Sequence, residues 1–156
     1  MKAKVYIETS VVSYLTSAPS RDLVVAAHQH LTREWWVRRE RFDLFVSEAV
    51  LEEAAAGHRE AAAKRTAALD GLPVLQVDTV VGELARRLIE SGAVPSSAKH
   101  DAIHVAVAAI HGMDVLLTWN CTHIANAAAR GKIEQVCRAG GYMPPVLCTP
   151  EELGAD

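Results

Sequence analysis

The sequence predicts an α/β domain in which helices cover both faces of a mostly parallel sheet. Short segments rich in β-branched residues alternate with longer segments in which apolar residues recur every three or four positions. The segment 114–119, DVLLTW, is largely apolar, which is typical of a strand buried on both faces. Aromatic residues make up only 5% of the chain, so small aliphatic residues fill the core and favour helices packed closely on a sheet. We therefore predict a three-layer α/β/α fold with four to five strands.

Five segments have the composition of strands. The first, KVYI, begins four residues from the N-terminus, and the others recur after each helical segment or pair of helical segments. The predicted strands are 4–7, 42–46, 74–78, 114–119 and 146–149.

Helices are predicted between the strands from their apolar spacing and from the residues that begin and end them. Thr9 or Ser10 is the expected cap of the first helix, Ser47 is the expected cap after the second strand, and Gly92 and Gly112 follow helix ends. The predicted helices are 9–17, 22–39, 48–56, 58–69, 79–91, 99–111, 120–129 and 132–139.

Length, charge and cysteine content bound the domain organisation and the location. The chain has 156 residues, enough for one domain, which we place at 1–150 with a short tail at 151–156. The net charge of −3 gives no global basic field for nucleic acid, so a polyanionic substrate would need local arginines or a bound metal. The three cysteines form no CxxC pair, and neither a signal peptide nor a membrane span is indicated. We expect a soluble cytoplasmic protein.

Acidic and amide side chains collect where the predicted strands end. In a parallel α/β sheet, ligands bind outside the carboxyl ends of the strands, so these side chains are expected to share one edge. They are Glu8 after the first strand, Glu48, Glu52 and Glu53 after the second, Asp101 at the start of the apolar helix 99–111, and Asn120, Thr122 and His123 after the fourth.

Such a cluster of carboxylates indicates a divalent cation. An acid at the head of so apolar a helix as the one that Asp101 begins must be paired, protonated or bound to metal, and Glu8 is similarly constrained at its strand end. Several carboxylates in one cleft repel each other unless a cation neutralises them, and hard oxygen ligands suit Mg²⁺ or Mn²⁺. A metal of this kind assists phosphodiester hydrolysis.

With these features the chain resembles PIN-domain ribonucleases of the kind that includes VapC-type toxins. The resemblance covers nearly the whole chain and rests on the order and spacing of three segments and a final strand. The segments are YIETSVVSYL, VSEAVLEEAAAG and HDAIHVAVAAIHGMDVLLTWNCTHIANA.

The resemblance implies a PIN-like fold whose acidic cleft binds Mg²⁺ or Mn²⁺ and cleaves single-stranded RNA. Carried onto this sequence, it makes Glu8, Glu53 and Asp101 the metal-binding and catalytic acids, with Asn120 as the fourth catalytic position. Two positions depart from the common family pattern, because Glu8 replaces an Asp and Asn120 carries no charge. The remaining candidates hold these groups or contact substrate: Thr9, Ser10, Thr118, His123, Arg38 and Arg39.

The resemblance also implies partners, namely single-stranded RNA, a small antitoxin protein and a second copy in a homodimer. The two departures support an alternative function, a catalytically weakened PIN-like module that binds RNA or protein.

Each site residue also has a structural interpretation. Glu8 could cap the following helix, and Asp101 could be an acidic residue that the helix dipole stabilises in the first turn. The glutamates after the second strand could form a solvated face, so both Glu52 and Glu53 stay open as the second acid. The hydroxyls of Thr9, Ser10 and Thr118 suit helix caps equally well.

Two further patterns have competing interpretations. His100 and His104 stand four residues apart and, with His123, could form a zinc site, but a hydrogen-bonded core histidine is the more common role for His104. Trp35 is expected in the core, while Arg38, Arg39 and Arg41 could contact a phosphate backbone.

Overall fold

Five parallel strands form the central sheet of the protein. The computed structural model describes residues 1–154, and the strand order is β3-β2-β1-β4-β5. Every neighbouring pair is parallel, which confirms the predicted fold class. The strands are β1 Lys4–Ile7, β2 Asp43–Ser47, β3 Val74–Leu75, β4 Val115–Leu117 and β5 Val146–Cys148.

Eight helices cover the two faces of the sheet within residues 1–154. The helix α1 packs against α2 and α4 in one layer, and α5 packs against α6 and α7 in the other. The helices are α1 Thr9–Thr16, α2 Leu23–Val37, α3 Glu48–Ala54, α4 Arg59–Leu69, α5 Thr79–Glu90, α6 Lys99–Ile110, α7 Ala127–Ala139 and α8 Pro150–Leu153. A 3₁₀ turn, Arg39–Arg41, leads from α2 into β2.

The core lies on both faces of β1 and along α6. Val5, Tyr6 and Ile7 are completely buried because β1 is the middle strand and has helices above and below it. The apolar helix predicted at 99–111 is α6, and its residues 104–109 are all buried. Burial of this helix on nearly all sides leaves few places for its polar residues to meet water.

Most predicted elements are confirmed, with shorter ends. The third strand, predicted at 74–78, contains only two residues, because β3 is an edge strand that pairs with β2 alone. The predicted tail begins as α8, which packs against α2, and residues 155–156 lie outside the described part of the chain. Within residues 1–154, every helix is too short or too polar to cross a bilayer.

The predicted helix at 120–129 is wrong. Residues 120–126 form turns, and a single helix, α7, then runs from Ala127 through the segment predicted as a separate helix at 132–139. The side chain of Asn120 accepts a hydrogen bond from the backbone N–H of His123, and Asn126 caps α7. Asparagine side chains that bond nearby backbone groups compete with helical hydrogen bonds, so the helix begins only after Asn126.

Candidate active site

Glu8 lies at the carboxyl end of β1 and is 6% exposed. Its carboxylate accepts hydrogen bonds from the backbone N–H of Ser10 at 3.2 Å, from the Ser10 hydroxyl, and from the Thr118 hydroxyl at 2.6 Å. Thr118 follows β4, the strand next to β1, so Glu8 is held between two strand ends. Three donors from two chain segments fix the orientation of this carboxylate.

The cap of α1 is Glu8, and the prediction of Thr9 or Ser10 as the cap is wrong. A carboxylate serves this role because it accepts the otherwise unpaired N–H groups of the first turn. Ser10 then supports Glu8 and donates to it, while the Ser10 hydroxyl accepts from the backbone N–H of Trp119 at 2.8 Å. Capping and membership of the acidic site therefore coexist in one residue.

Of the three glutamates on α3, only Glu53 points into the site. Its Oε1 accepts from the Thr9 hydroxyl at 2.8 Å and contacts Nε2 of His104 at 2.5 Å. Burial by itself raises the pKa of Glu53, but the hydrogen bond and charge of His104 and the Thr9 hydroxyl outweigh burial and lower this pKa. Glu52 is exposed, and Glu48 accepts from the backbone N–H of Val77.

His104 is 1% exposed, and both of its ring nitrogens are engaged. Nδ1 lies 2.6 Å from the Tyr6 hydroxyl, which lies 2.7 Å from the Ser47 hydroxyl. The Ser47 hydroxyl also accepts from the N–H of Val50 and so caps α3, as predicted. A continuous hydrogen-bonded chain thus runs from the start of α3, through β1 and α6, back to Glu53.

Asp101 lies in the first turn of α6, and His123 holds its side chain. His123 Nδ1 is 2.8 Å from Asp101 Oδ2, and the backbone N–H of His123 donates to Asn120 Oδ1 at 3.0 Å. The Asn120 N–H donates in turn to the Thr118 hydroxyl at 2.9 Å. The turn after β4 therefore connects the Asp101 side of the site to the Glu8 side.

The charges of the three carboxylates converge on His104. Burial of the ring by itself lowers the pKa of His104, but the hydrogen bond to Glu53 and the charges of Glu8, Glu53 and Asp101 outweigh it and raise the pKa. The interaction between two charges weakens with distance, so all three carboxylates lie in the neighbourhood of this ring. Sequence positions 8, 53 and 101 are thus brought to the same end of the sheet.

The donor set fits a hard divalent cation in its chemistry. Glu53 Oε2 and Asp101 Oδ1 accept no hydrogen bond from residues 1–154, and Glu8 Oε2 accepts only from the Ser10 N–H. Free carboxylate oxygens are the ligands that Mg²⁺ and Mn²⁺ prefer. With the side chains as they stand, no three His, Cys, Asp or Glu residues in the described chain are close enough together to hold an ion.

Comparison with known proteins identifies the family. The sequence model of the PIN domain matches residues 5–129, which include every acid of the site.

The chain belongs to the PIN-domain family.

Two solved structures share this fold. The crystal structure of Mycobacterium tuberculosis VapC20, a sarcin–ricin loop cleaving toxin, superposes with a TM-score of 0.55 at 17% identity, covering 89% of this chain and 96% of that one. VapBC2 from Rickettsia felis, bound to a DNA fragment from its promoter, gives a TM-score of 0.51 at 16% identity, covering 75% of this chain and 88% of that one. Identities this low show a shared fold only. No curated protein matches the chain.

Within this PIN domain, the predicted arginine contacts lie away from the acids. Arg38 and Arg39 lie in the connection from α2 to β2, and the first residue of β2 pairs with Lys4 at the start of β1. Glu8 follows the other end of β1, a strand of four residues, or about 13 Å. Arg39 lies over the Trp36 ring at 4.7 Å, and Arg38 donates to a backbone carbonyl of α2. The structure does not bring these arginines to the carboxylates.

The zinc interpretation of the histidines does not match their contacts. His100 is exposed, His104 contacts Glu53, and His123 contacts Asp101, so the three rings engage different groups. His104 has the role predicted for a core histidine, because it is buried and hydrogen-bonded. Trp35 is 1% exposed and belongs to the core, as predicted.

Sequence reasoning missed the hydrogen-bonded chain that supports Glu53. Tyr6 was assigned only to a strand, and Ser47 only to a helix cap, yet both contact the His104 network. One signal was present, because His104 stands three residues after Asp101 and therefore shares its helix face. A polar residue on the same face as a candidate ligand, inside a buried helix, indicates a supporting group.

Proposed function

We propose that this PIN domain is a metal-dependent endoribonuclease that hydrolyses single-stranded RNA. The observation that supports it best is the hydrogen-bonded network that links Glu8, Glu53 and Asp101, which come from three separate elements. Thr9, next to Glu8, donates to Glu53, and the turn from Thr118 to His123 connects Glu8 to Asp101. Mutual repulsion between neighbouring carboxylates destabilises a fold unless a bound cation neutralises their charge. Membership of the PIN family and the shared fold of VapC20, a sarcin–ricin loop cleaving toxin, support the same function.

In this proposal Glu8, Glu53 and Asp101 are the residues that hold Mg²⁺ or Mn²⁺. Thr9 orients Glu53 through its hydroxyl, and Ser10 and Thr118 orient Glu8 through theirs. These hydroxyls leave other carboxylate oxygens available for a cation. When bound, a divalent cation polarises a phosphoryl oxygen and makes water a better nucleophile at neutral pH.

Asn120 and His123 are assigned to the substrate side of the site. Asn120 fixes the turn that carries His123, and His123 Nε2 makes no hydrogen bond within residues 1–154. This nitrogen is therefore free to contact an RNA phosphate. Attack of water on phosphorus breaks the bond to the 3′ oxygen, so the products carry a 5′-phosphate and a 3′-hydroxyl.

RNA cleavage with matched carboxylate variants tests the proposal. The wild type should cut single-stranded RNA in the presence of Mn²⁺, and Mn²⁺ should raise its melting temperature. Asp101→Asn and Glu53→Gln should each lose about 100-fold or more in cleavage rate. Glu52→Gln is the control, because this neighbouring glutamate is exposed and should leave cleavage unchanged. Undiminished cleavage in Asp101→Asn would contradict the proposal.

A catalytically weakened binding module is the second candidate. The uncharged Asn120 and the absence of a closed group of metal ligands within residues 1–154 favour it. This candidate predicts that Mn²⁺ stabilises the wild type and that RNA binds, while no cleavage products form. The same two measurements therefore separate the two functions.

We further propose that the chain is the toxin of a toxin–antitoxin pair and acts on RNA in the cytoplasm. The shared fold with VapBC2 and VapC20 supports this assignment. A small antitoxin and a homodimer are the corresponding partners. Co-expression with the product of a short neighbouring reading frame should yield a complex in which Mn²⁺-dependent cleavage is blocked, and light scattering of the free protein should give twice the chain mass.

A further inference from the structure

We propose that His104 is a positioning residue that fixes the Glu53 carboxylate to α6 and so sets the spacing of the carboxylates that hold the cation. This inference rests on the proposed function, because it concerns the same site. It assigns the buried histidine a role in metal binding, although its ring is not itself one of the metal ligands.

The position of His104 on α6 is the first argument. His104 stands one turn after Asp101, so the two side chains lie on the same face of the helix. Its Nε2 reaches Glu53 on α3, an element 51 residues earlier in sequence. The imidazole therefore links the helix that carries one acid directly to the side chain of another.

The His104 ring is buried and held at both of its nitrogens. His104 is 1% exposed, and its Nδ1 contacts the hydroxyl of Tyr6, a residue of the central strand with no exposed surface. The Tyr6 hydroxyl also contacts Ser47, which caps the helix that carries Glu53. The N-terminal cap of α3, Ser47, and the acid in its last turn, Glu53, therefore belong to the same hydrogen-bonded chain.

The direction of these hydrogen bonds supports the role. In the neutral ring every atom is satisfied when the Ser47 hydroxyl donates to Tyr6, Tyr6 donates to His104 Nδ1, and Nε2–H donates to Glu53. In the protonated ring Nδ1–H donates to the Tyr6 hydroxyl, which then donates to Ser47, so Nε2–H donates to Glu53 in both states. Thr9, which directly follows Glu8, supplies the second donor to Glu53 and ties it to α1. Glu53 is consequently held between the elements of the other two acids.

The Mn²⁺ affinity of variants of this chain, measured by calorimetry, tests this role independently of RNA cleavage. His104→Leu removes the donor and should weaken Mn²⁺ binding about tenfold or more, as loss of a group that orients a metal ligand does. His104→Gln keeps an N–H donor that can reach Glu53, and its affinity should stay within about threefold of wild type. Tyr6→Phe keeps the His104 ring but removes the hydroxyl that contacts its Nδ1. The Mn²⁺ affinity of this variant should lie between those of His104→Leu and His104→Gln.

His111→Leu is the matched control for loss of a histidine. His111 caps the C-terminal end of α6, opposite to the end that carries Asp101, and its Nε2 bonds the backbone carbonyl of Gln76. Its loss should leave the Mn²⁺ affinity unchanged. In the cleavage assay, His104→Leu should lower kcat with little change in the KM for RNA.

The Mn²⁺ affinities of these variants distinguish a positioning role of His104 from a role in stability alone. Weak binding in His104→Leu with recovery in His104→Gln supports the positioning role. Equal Mn²⁺ affinity in all variants, with only the metal-free melting temperature lowered, assigns His104 to stability alone and overturns the inference while the nuclease proposal stands. Should His104→Leu fail to fold, wild-type affinity in Tyr6→Phe together with weak binding in His104→Gln overturns it equally. Absence of Mn²⁺ binding in the wild type overturns both.

Discussion

Two histidine–carboxylate pairs belong to the site, and they differ in burial and in the hydrogen bonds that hold them. In the pair His104–Glu53 the side chains are 1% and 28% exposed, and both imidazole nitrogens are bonded. In the pair His123–Asp101 they are 33% and 18% exposed, and one imidazole nitrogen makes no hydrogen bond to the part of the chain that the structure describes. The same chemistry therefore occurs once inside the packed core and once at its border with solvent.

The difference separates residues that build the site from residues that can meet a substrate. The buried pair connects β1, α3 and α6, so breaking it disturbs the fold and the carboxylates together. The exposed pair is attached to a turn, and its histidine can change partner without moving a core element. Four predictions, ordered by their effect on the free energy of unfolding, test this distinction.

Loss of the buried imidazole should have the largest effect. His104→Leu leaves Glu53 and the Tyr6 hydroxyl without their partner, and should lower the free energy of unfolding by about 3 kcal/mol. Urea unfolding without metal measures this, with His111→Leu as a control that should lose less than about 1 kcal/mol. A loss below that value in His104→Leu would show that the buried pair does not stabilise the fold.

The buried pair should also give stability a maximum in mildly acidic solution. The pKa of His104 is raised above its ordinary 6.5, so its contribution is complete below pH 6.5 and is lost as pH rises through the folded pKa. The pKa of Glu53 is lowered below its ordinary 4.5, so its contribution is complete above pH 4.5 and is lost as pH falls through the folded pKa.

The measurement is the stability difference between wild type and His104→Gln across this range. The difference should be largest between pH 4.5 and pH 6.5 and should decline on both sides. Glu53→Gln should reproduce the same profile, because it breaks the same pair. A difference that stays constant from pH 4 to pH 8 would argue against a charged interaction.

Loss of the exposed imidazole should have a small effect on stability and a larger one on activity. His123→Leu removes a partly exposed contact, so the free energy of unfolding should fall by only about 0.5 kcal/mol. Cleavage should fall about tenfold if Asp101 needs this ring to stay in place. Equal losses of stability in His123→Leu and His104→Leu would remove the distinction between the pairs.

Asn120→Asp should have the smallest effect on stability. Aspartate keeps the acceptor for the His123 N–H, so the free energy of unfolding should change by less than about 0.5 kcal/mol. The added charge near the other acids should tighten Mn²⁺ binding about threefold. Unchanged Mn²⁺ affinity would show that the side chain at position 120 does not face the cation.

The fold could be predicted closely because its signals are local. The central strands and α6 are apolar over their whole length, and Ser47 caps α3 through a single predictable contact. Prediction failed where side chains rather than periodicity decide the backbone. In the turn 120–126, Asn120 and Asn126 bond backbone N–H groups, and no apolar spacing reports this.

The site could be predicted only as a set of separate acids. Topology alone placed Glu8 and Asp101 at one edge of the sheet, because parallel strands end together. Pairing across long sequence distances could not be predicted, since nothing near Glu53 in sequence indicates that His104 will donate to it. The sequence also could not show that Arg38 and Arg39 lie at the sheet edge opposite to the acids. That placement follows from the parallel pairing of β1 with β2.

The strand order also determines when the site can form during synthesis. The carboxylate of Glu8 is synthesised well before the hydroxyl that holds it, which belongs to a residue 110 positions later. The middle strand likewise lacks one neighbour until β4 has been made. A nascent chain that stops before Val115 consequently carries an incomplete acidic centre, because the Thr118 hydroxyl that holds Glu8 and the His123 ring that holds Asp101 have not yet been made.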